Sequence, residues 1–215
     1  MSFTEYLSSR ADIILELTLE HAQVVLIAIA IAAVIGVALG ITTYRRAQAA
    51  QIVLAICAVF LTIPSIALFG LLIAPLGLGY PPTVVALVLY ALLPIVRNTI
   101  TGLREVDPAL IEAARGMGMG RWRRLRRIEL PLAWPVILTG VRVSTLIVLG
   151  IAAIAAAING PGLGELIFRG LTGLTTVNAM NDILSGILGI MVLAILFDIA
   201  FFALRWFTTS PGVRA

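Results

Sequence analysis

The stretch VVLIAIAIAAVIGVALGITTY, residues 24–44, decides the fold class of this 215-residue chain. It runs for 21 residues without a charge and ends at Arg45 and Arg46. A helix of about 20 apolar residues is long enough to cross the hydrocarbon core of a membrane. The whole chain agrees, since 60% of its residues are hydrophobic and only 12% are charged, against about a quarter charged in soluble domains. The sequence therefore predicts an all-α integral membrane protein.

Four further apolar stretches have the length of a membrane helix. They are residues 52–76, 82–103, 132–157 and 183–205. Pro64 and Pro94 predict kinks inside the second and third spans. Residues 1–23 are predicted to be an amphipathic segment on the outer surface, which is retained and not cleaved as a signal peptide. His21 within it is predicted to be an interfacial polar residue rather than a proton sensor. We therefore predict one domain, 1–215, with five transmembrane helices.

The arginines predict the orientation of these spans. All 15 basic residues are arginine, and 13 of them lie on or near one predicted side, leaving Arg10 and Arg169 on the other. Because cytoplasmic loops carry an excess of positive charge, the N-terminus is predicted outside and the C-terminus in the cytoplasm.

Several kinds of chemistry are excluded by composition. A chain without lysine has neither a Schiff-base amine nor the lysine of a phosphate-binding loop. Cys57 and His21 are the single cysteine and histidine, so they cannot build an internal disulfide or a multi-ligand Cys/His metal site. We expect a chain that is not an enzyme and holds no metal or cofactor. If ATP drives this protein, ATP and Mg²⁺ are bound by a partner chain.

The polar segment 104–131 between the third and fourth spans is predicted to be a cytoplasmic loop. Asp107 followed by Pro108 is typical of a helix start, with an acidic cap and proline at the first helical position. Glycines at 116, 118 and 120 then predict a break, after which a second short helix is expected to run as far as Pro131. The predicted product is a helix, a sharp turn and a second helix, exposed to a cytoplasmic partner.

This loop carries a long, specific motif. Its residues fit EAA-x3-G-x9-I-x-LP at every position, and in this spacing the chain resembles the permease subunits of binding-protein-dependent ABC importers. Four further stretches resemble the branch that imports glycine betaine, carnitine, choline or proline. They are TLEHAQVVLIA (18–28), TIPSIALFGLLIAPLGLG (62–79), ALLPIVRNTITGL (91–103) and NGPGLGELIFRGL (159–171).

The resemblance implies a cell-membrane permease subunit that couples to a separate cytoplasmic ATPase. It also implies an extracytoplasmic substrate-binding protein and a second permease subunit, identical or homologous; we expect no nucleic-acid partner. The residues carried over to ATPase coupling are Glu112, Ala113, Ala114, Gly118, Ile128, Leu130 and Pro131. Small alanines permit close approach of helices, and Gly118 permits a chain reversal that a side chain would obstruct.

Charged and polar residues inside the spans have two possible roles. Charges in a membrane mark functional sites by default, yet snorkelling of Arg97 and pairing of Arg142 with Asp198 are sufficient structural explanations. The predicted pathway-lining residues are Thr62, Ser65, Ser144 and Asn159, with hydrogen bonding between helices as the competing role.

Three other functions stay open at this point. The loop motif is shared by importers of many cargoes, so another amino acid such as methionine is an alternative substrate. A self-sufficient channel or secondary carrier would use the intramembrane charges as working parts. A membrane enzyme would need a nucleophile and a base, which the sequence does not bring together.

Overall fold

In the computed structural model the described residues, 2–209, are helical with no strand, which confirms the predicted all-α class. Met1 and residues 210–215, among them Arg214 of the predicted charge asymmetry, lie outside the described residues. The helices are α1 (Phe3–Ser9), α2 (Ala11–Thr43), α3 (Ala47–Thr62), α4 (Ser65–Leu76), α5 (Tyr80–Arg104), α6 (Pro108–Gly116), α7 (Arg121–Arg124), α8 (Leu130–Ile154), α9 (Gly164–Thr172) and α10 (Ala179–Thr208).

Helix α5 is the centre of the fold. It packs along α2 on one side and α8 on the other, and 67% of its most apolar stretch is buried. Helix α10 lies at the edge, with only 6% of its most apolar stretch buried. Most of α10 therefore faces whatever surrounds a single subunit, whether lipid or another chain.

A stripe of small residues lets α2 approach α5 closely. Ala28, Ala32, Gly36 and Gly40 recur every four residues and are buried, and small residues of this kind allow membrane helices to approach closely. A Cβ atom built on Gly40 would lie 2.4 Å from Cγ2 of Thr99. The contact leaves no room for a side chain.

We expect Gly40→Ala to destabilise the subunit by about 1–3 kcal/mol, because the added methyl group must push α2 away from α5. The matched control is Gly150→Ala on α8, where an added Cβ meets nothing within 4 Å. Thermal unfolding in detergent measures both. Equal unfolding temperatures for the two variants would show that the α2–α5 contact is looser than described.

The second predicted span is broken rather than kinked. Helices α3 and α4 meet at an angle of 98°, and Ile63 between them is extended, with ψ 127°. The ring of Pro64 disfavours a helical conformation in the residue before it, so the helix ends there. The hydroxyl of Tyr90 on α5 donates a hydrogen bond of 2.7 Å to the carbonyl oxygen of Ile63. By contrast, α5 continues through Pro94.

The broken pair still connects the two ends of the bundle. Helix α3 begins next to Arg45, which bonds Glu129 just before α8. Helix α4 ends near Gly79, whose N–H donates to the carbonyl of Ile158, beyond the far end of α8. Within residues 2–209, four single helices are long and apolar enough to span a membrane, and the number rises to the predicted five if the bent pair counts as one span.

The segment 1–23 is two helices rather than one amphipathic lead-in, because α2 begins at Ala11 and runs unbroken into the first span. The hydroxyl of Tyr6 on α1 donates to Asp182, which also pairs with Arg169 at 3.3 Å. Arg10 lies over the Tyr6 ring, 5.5 Å from its centroid. The two arginines predicted on the outer side thus share one end of the bundle.

The sequence predicts His21 at the membrane interface, but the structure buries it fully. Its Nε2 lies 3.1 Å from the carbonyl oxygen of Leu149. Gly162, with φ +105°, packs directly on the imidazole, and a Cβ there would lie 2.9 Å from Nδ1. His21 therefore joins α2 to α8 and to the loop before α9.

Candidate coupling site

Helix α6 forms where the sequence predicts a helix in the 104–131 loop. The side chain of Asp107 accepts a hydrogen bond of 2.8 Å from the N–H of Ala109, and Pro108 occupies the first turn. The cap supplies one of the acceptors that the first N–H groups of a helix lack. Helix α6 is thus fixed at its start by local sequence.

The end of α6 is a tight reversal built on Gly118. Its φ of +78° lies in the region that side chains disfavour. The N–H of Met119 donates to the carbonyl of Ala114 at 3.0 Å, which closes the turn. A Cβ on Gly118 would meet nothing within 4 Å. The glycine is therefore favoured by the backbone conformation of the reversal, as the sequence analysis predicted, and not by crowding within the chain.

The second helix of the loop does not stop at Pro131. Helix α7 passes through a π-helical turn, Leu125–Glu129, directly into α8. Pro131 lies directly after the π-helical turn, in the first turn of α8, and contributes no N–H to the hydrogen bonds of the helix. Because the segment is continuous, a displacement of the loop acts directly on the fourth span.

Three of the seven motif residues line one groove, which we call the coupling groove. It has a volume of about 430 Å³. Its walls are Leu110, Ala113, Met117, Arg127, Ile128, Pro131, Leu132, Trp134 and Thr208. The predicted coupling residues Ala113, Ile128 and Pro131 are thus brought together, while Met117 presents an apolar side chain that is 68% exposed.

The other predicted coupling residues have different surroundings. Ala114 is fully buried on the inner side of α6, where only a small side chain allows such close packing. Glu112 is exposed on the outer side, and Leu130 packs against the hydrophobic core. Glu112 and Ala113 are therefore the members of the EAA triplet that a partner could touch.

A buried carboxylate at the variable position of the motif was missed by sequence reasoning. Glu129 has no exposed surface. It accepts hydrogen bonds from Tyr44 Oη at 2.5 Å, Arg124 Nε at 2.7 Å and Arg45 Nη2 at 3.0 Å. We call these four residues the Glu129 cluster. It ties the connection between α2 and α3 to the end of the coupling segment.

The protonation and charge of the groups around Glu129 agree with the hydrogen bonds that they make. Burial, followed by the bond to Glu129, raises the pKa of the Tyr44 phenol, so this hydroxyl stays protonated and donates. Two guanidinium groups face one carboxylate, and charge-assisted bonds of this kind are the strong ones. In the sequence, Glu129 is the acidic residue that ends an arginine-rich run, and this pattern could have indicated an ion pair.

The four predicted pathway residues do not form one site. Ser144 is buried and donates a hydrogen bond of 2.7 Å to the carbonyl of Ala91, one turn before Pro94, which is the interhelical role weighed against pathway lining. Thr62 and Ser65 flank the 98° break. Asn159, with φ +59°, is exposed in the turn before α9.

The predicted pairing of Arg142 with Asp198 is confirmed. Nε of Arg142 lies 2.6 Å from Oδ1 of Asp198, and the pair joins α8 to α10. Arg97 is exposed on α5.

A helical bundle with four or five candidate membrane spans and this capped loop is consistent with a known class of membrane protein. Residues 22–208 match the family described as binding-protein-dependent transport system inner membrane component, and the chain belongs to that family. It is a non-catalytic permease subunit of an ATP-driven importer, located in the membrane, as the loop motif implied.

Particular relatives are similar along the whole chain. The osmoprotectant import permease protein OsmW of Salmonella typhimurium is 42% identical over 220 residues, covering 100% of both chains. The glycine betaine/carnitine/choline transport system permease protein OpuCB of Bacillus subtilis is 35% identical over 97% of this chain and 94% of its own length.

A solved structure has the same fold. An inward-facing form of the MetNI methionine ABC transporter superposes with a TM-score of 0.80 over 92% of this chain and 96% of that chain. Its sequence identity is 23%, so the likeness concerns the fold and not the cargo.

Proposed function

We propose that this chain forms half of the translocation pathway of an importer for glycine betaine, carnitine, choline or a similar osmolyte. The observation that carries the proposal is the 42% identity, over the full length of both chains, to an osmoprotectant import permease. The methionine cargo of the structural neighbour has less support, because that likeness rests on 23% identity.

The proposed assembly has two permease subunits, two cytoplasmic ATPase subunits that bind ATP and Mg²⁺, and an external binding protein. The N-terminus lies outside, and α6 faces the ATPase. The exposed Glu112, Ala113 and Met117 are suited to contact the ATPase, since they project from the outer side of α6 and the coupling groove. Thr62, Ser65 and Asn159 are the remaining candidates for lining the pathway.

In the proposed mechanism, closure of the ATPase pair displaces α6. The displacement reaches α8 through the continuous α7 and π turn, and reaches α2 and α3 through the Glu129 cluster. The ATPase thereby shifts the population between inward-open and outward-open states, and the permease itself performs no chemistry.

Reconstitution in proteoliposomes tests the proposal. With its ATPase and binding protein, the permease is expected to accumulate labelled glycine betaine only when ATP is present. The same vesicles loaded with methionine-binding protein and methionine serve as the control for cargo. Flux through the isolated permease without ATP would overturn the importer mechanism. Uptake of methionine but not of any quaternary ammonium compound would overturn the proposed osmolyte cargo.

A further inference from the structure

The ion pair between Arg142 and Asp198 is half-open to the surroundings of the subunit. The side chains are 46% and 41% exposed, respectively. Their bond uses Nε of Arg142 and Oδ1 of Asp198, so the Nη groups of the guanidinium and the second carboxylate oxygen are available to a ligand. The pair can therefore bind an anionic group of a ligand through Arg142 and a cationic group through Asp198.

The pair lies well inside the membrane. Trp134 on α8 and Trp206 on α10 occur near one end of the bundle, where tryptophan anchors membrane helices at the interface. Arg142 follows Trp134 by eight residues and Asp198 precedes Trp206 by eight, which places both about 12 Å deeper at 1.5 Å per residue. Charges at this depth are costly against lipid and normally face a protein interior or a water-filled cavity.

Aromatic rings lie beside Arg142, and one of them lies one helical turn from Asp198. A crevice between α8 and α10 is lined by Arg142, Phe201, Phe202 and Arg205, together with Pro135, Leu138 and Thr139. Phe202 follows Asp198 by one helical turn and is 67% exposed. A carboxylate next to an aromatic face is a combination that attracts a quaternary ammonium group, and a guanidinium binds a carboxylate through two parallel hydrogen bonds.

We propose that Arg142, Asp198 and the rings of Phe201 and Phe202 form a transient site in the translocation pathway for a zwitterion with a quaternary ammonium group. The inference rests on the proposed function and names the residues that meet its cargo. Asp198 and Phe202 receive the ammonium group, and Arg142 receives the carboxylate. The bond between Arg142 and Asp198 holds the two charged groups in contact while the site is empty.

The first test asks whether the crevice contains water. Cys57 is buried and is the single cysteine, so Cys57→Ala gives a background for Phe202→Cys and for the control Leu204→Cys. Leu204 lies about 200° round the helix from Phe202, lines a separate crevice towards α2 and is nearer the helix end. In the assembled transporter, the quaternary ammonium reagent 2-(trimethylammonium)ethyl methanethiosulfonate is expected to label position 202 at least ten-fold faster than position 204.

The second test compares two cargoes. Glycine betaine carries a carboxylate, whereas choline carries a hydroxyl in its place. At saturating loaded binding protein, Arg142→Gln is expected to lower the uptake rate of glycine betaine relative to choline about ten-fold, since a charge-assisted bond is lost for one cargo only. Asp198→Asn is expected to lower both rates together.

The outcomes separate this proposal from the function on which it rests. Equal loss of both cargoes in Arg142→Gln would reduce the pair to a structural link and overturn the site. Labelling of Phe202→Cys no faster than Leu204→Cys, or a disulfide at position 202 between two copies of the chain, would also overturn it. The labelling of the two cysteine variants leaves the ion pair intact. It therefore tests the proposed site even if Arg142→Gln fails to assemble. Failure of the wild-type transporter to import either cargo would contradict the proposed function instead.

Discussion

Glu129→Ala is expected to lower the free energy of unfolding by about 3–5 kcal/mol and to abolish ATP-dependent uptake. The substitution leaves Arg124 buried without its carboxylate, and removing one partner of a buried ion pair costs this amount because the remaining charge is uncompensated. Arg45 and Tyr44 lose the same acceptor. Thermal unfolding in detergent and uptake in proteoliposomes measure the two effects.

Two further variants isolate the charge of Glu129. Glu129→Gln keeps the shape and one acceptor oxygen, so we expect an intermediate loss of stability. Glu105→Gln removes an exposed carboxylate from the same side of the bundle and should stay within about 0.5 kcal/mol of the parent. A stable Glu129→Ala protein with normal uptake would show that the cluster neither holds the coupling segment nor transmits its movement.

Gly118→Trp is expected to abolish ATPase association and ATP-dependent uptake in a permease that still folds. The positive φ costs a side chain about 1–2 kcal/mol, and no atom of the chain lies within 4 Å of the added Cβ. The large ring therefore projects away from the permease, on the side where we propose that the ATPase binds. Co-purification with the ATPase and uptake in proteoliposomes give the two readouts.

The matched variant is Gly118→Asn, because asparagine tolerates this backbone region better than other side chains. It should keep more than half of the parent uptake if backbone conformation is the main requirement. Normal ATPase association by Gly118→Trp would show that the tip of the turn lies outside the interface with the ATPase.

The features that could be predicted from sequence are those with a local cause. Long uncharged stretches predicted the spans, Asp107 and Pro108 predicted the start of α6, and two lone charges in apolar helices predicted the pair of Arg142 with Asp198. Each follows from helix length, capping or the cost of a charge in lipid.

The features that were missed depend on contacts distant in the chain. In the sequence Glu129 is one residue of the polar segment 104–131, and its burial becomes evident only when the end of α2 brings Tyr44 and Arg45 beside it. The same holds for His21, which is covered by Gly162. Pro64 predicted a bend, but its size depends on how α4 packs against α5.

The 98° break between α3 and α4 has a consequence for biosynthesis. At 1.5 Å per residue, α3 and α4 are about 24 and 18 Å long, so each is too short to cross the hydrocarbon alone. The Ile63 carbonyl is capped by Tyr90, which the ribosome adds 27 residues later. During synthesis the second span must therefore wait for the third before its backbone is fully bonded. Until then, the carbonyl of Ile63 depends on water or on the insertion machinery for a hydrogen bond.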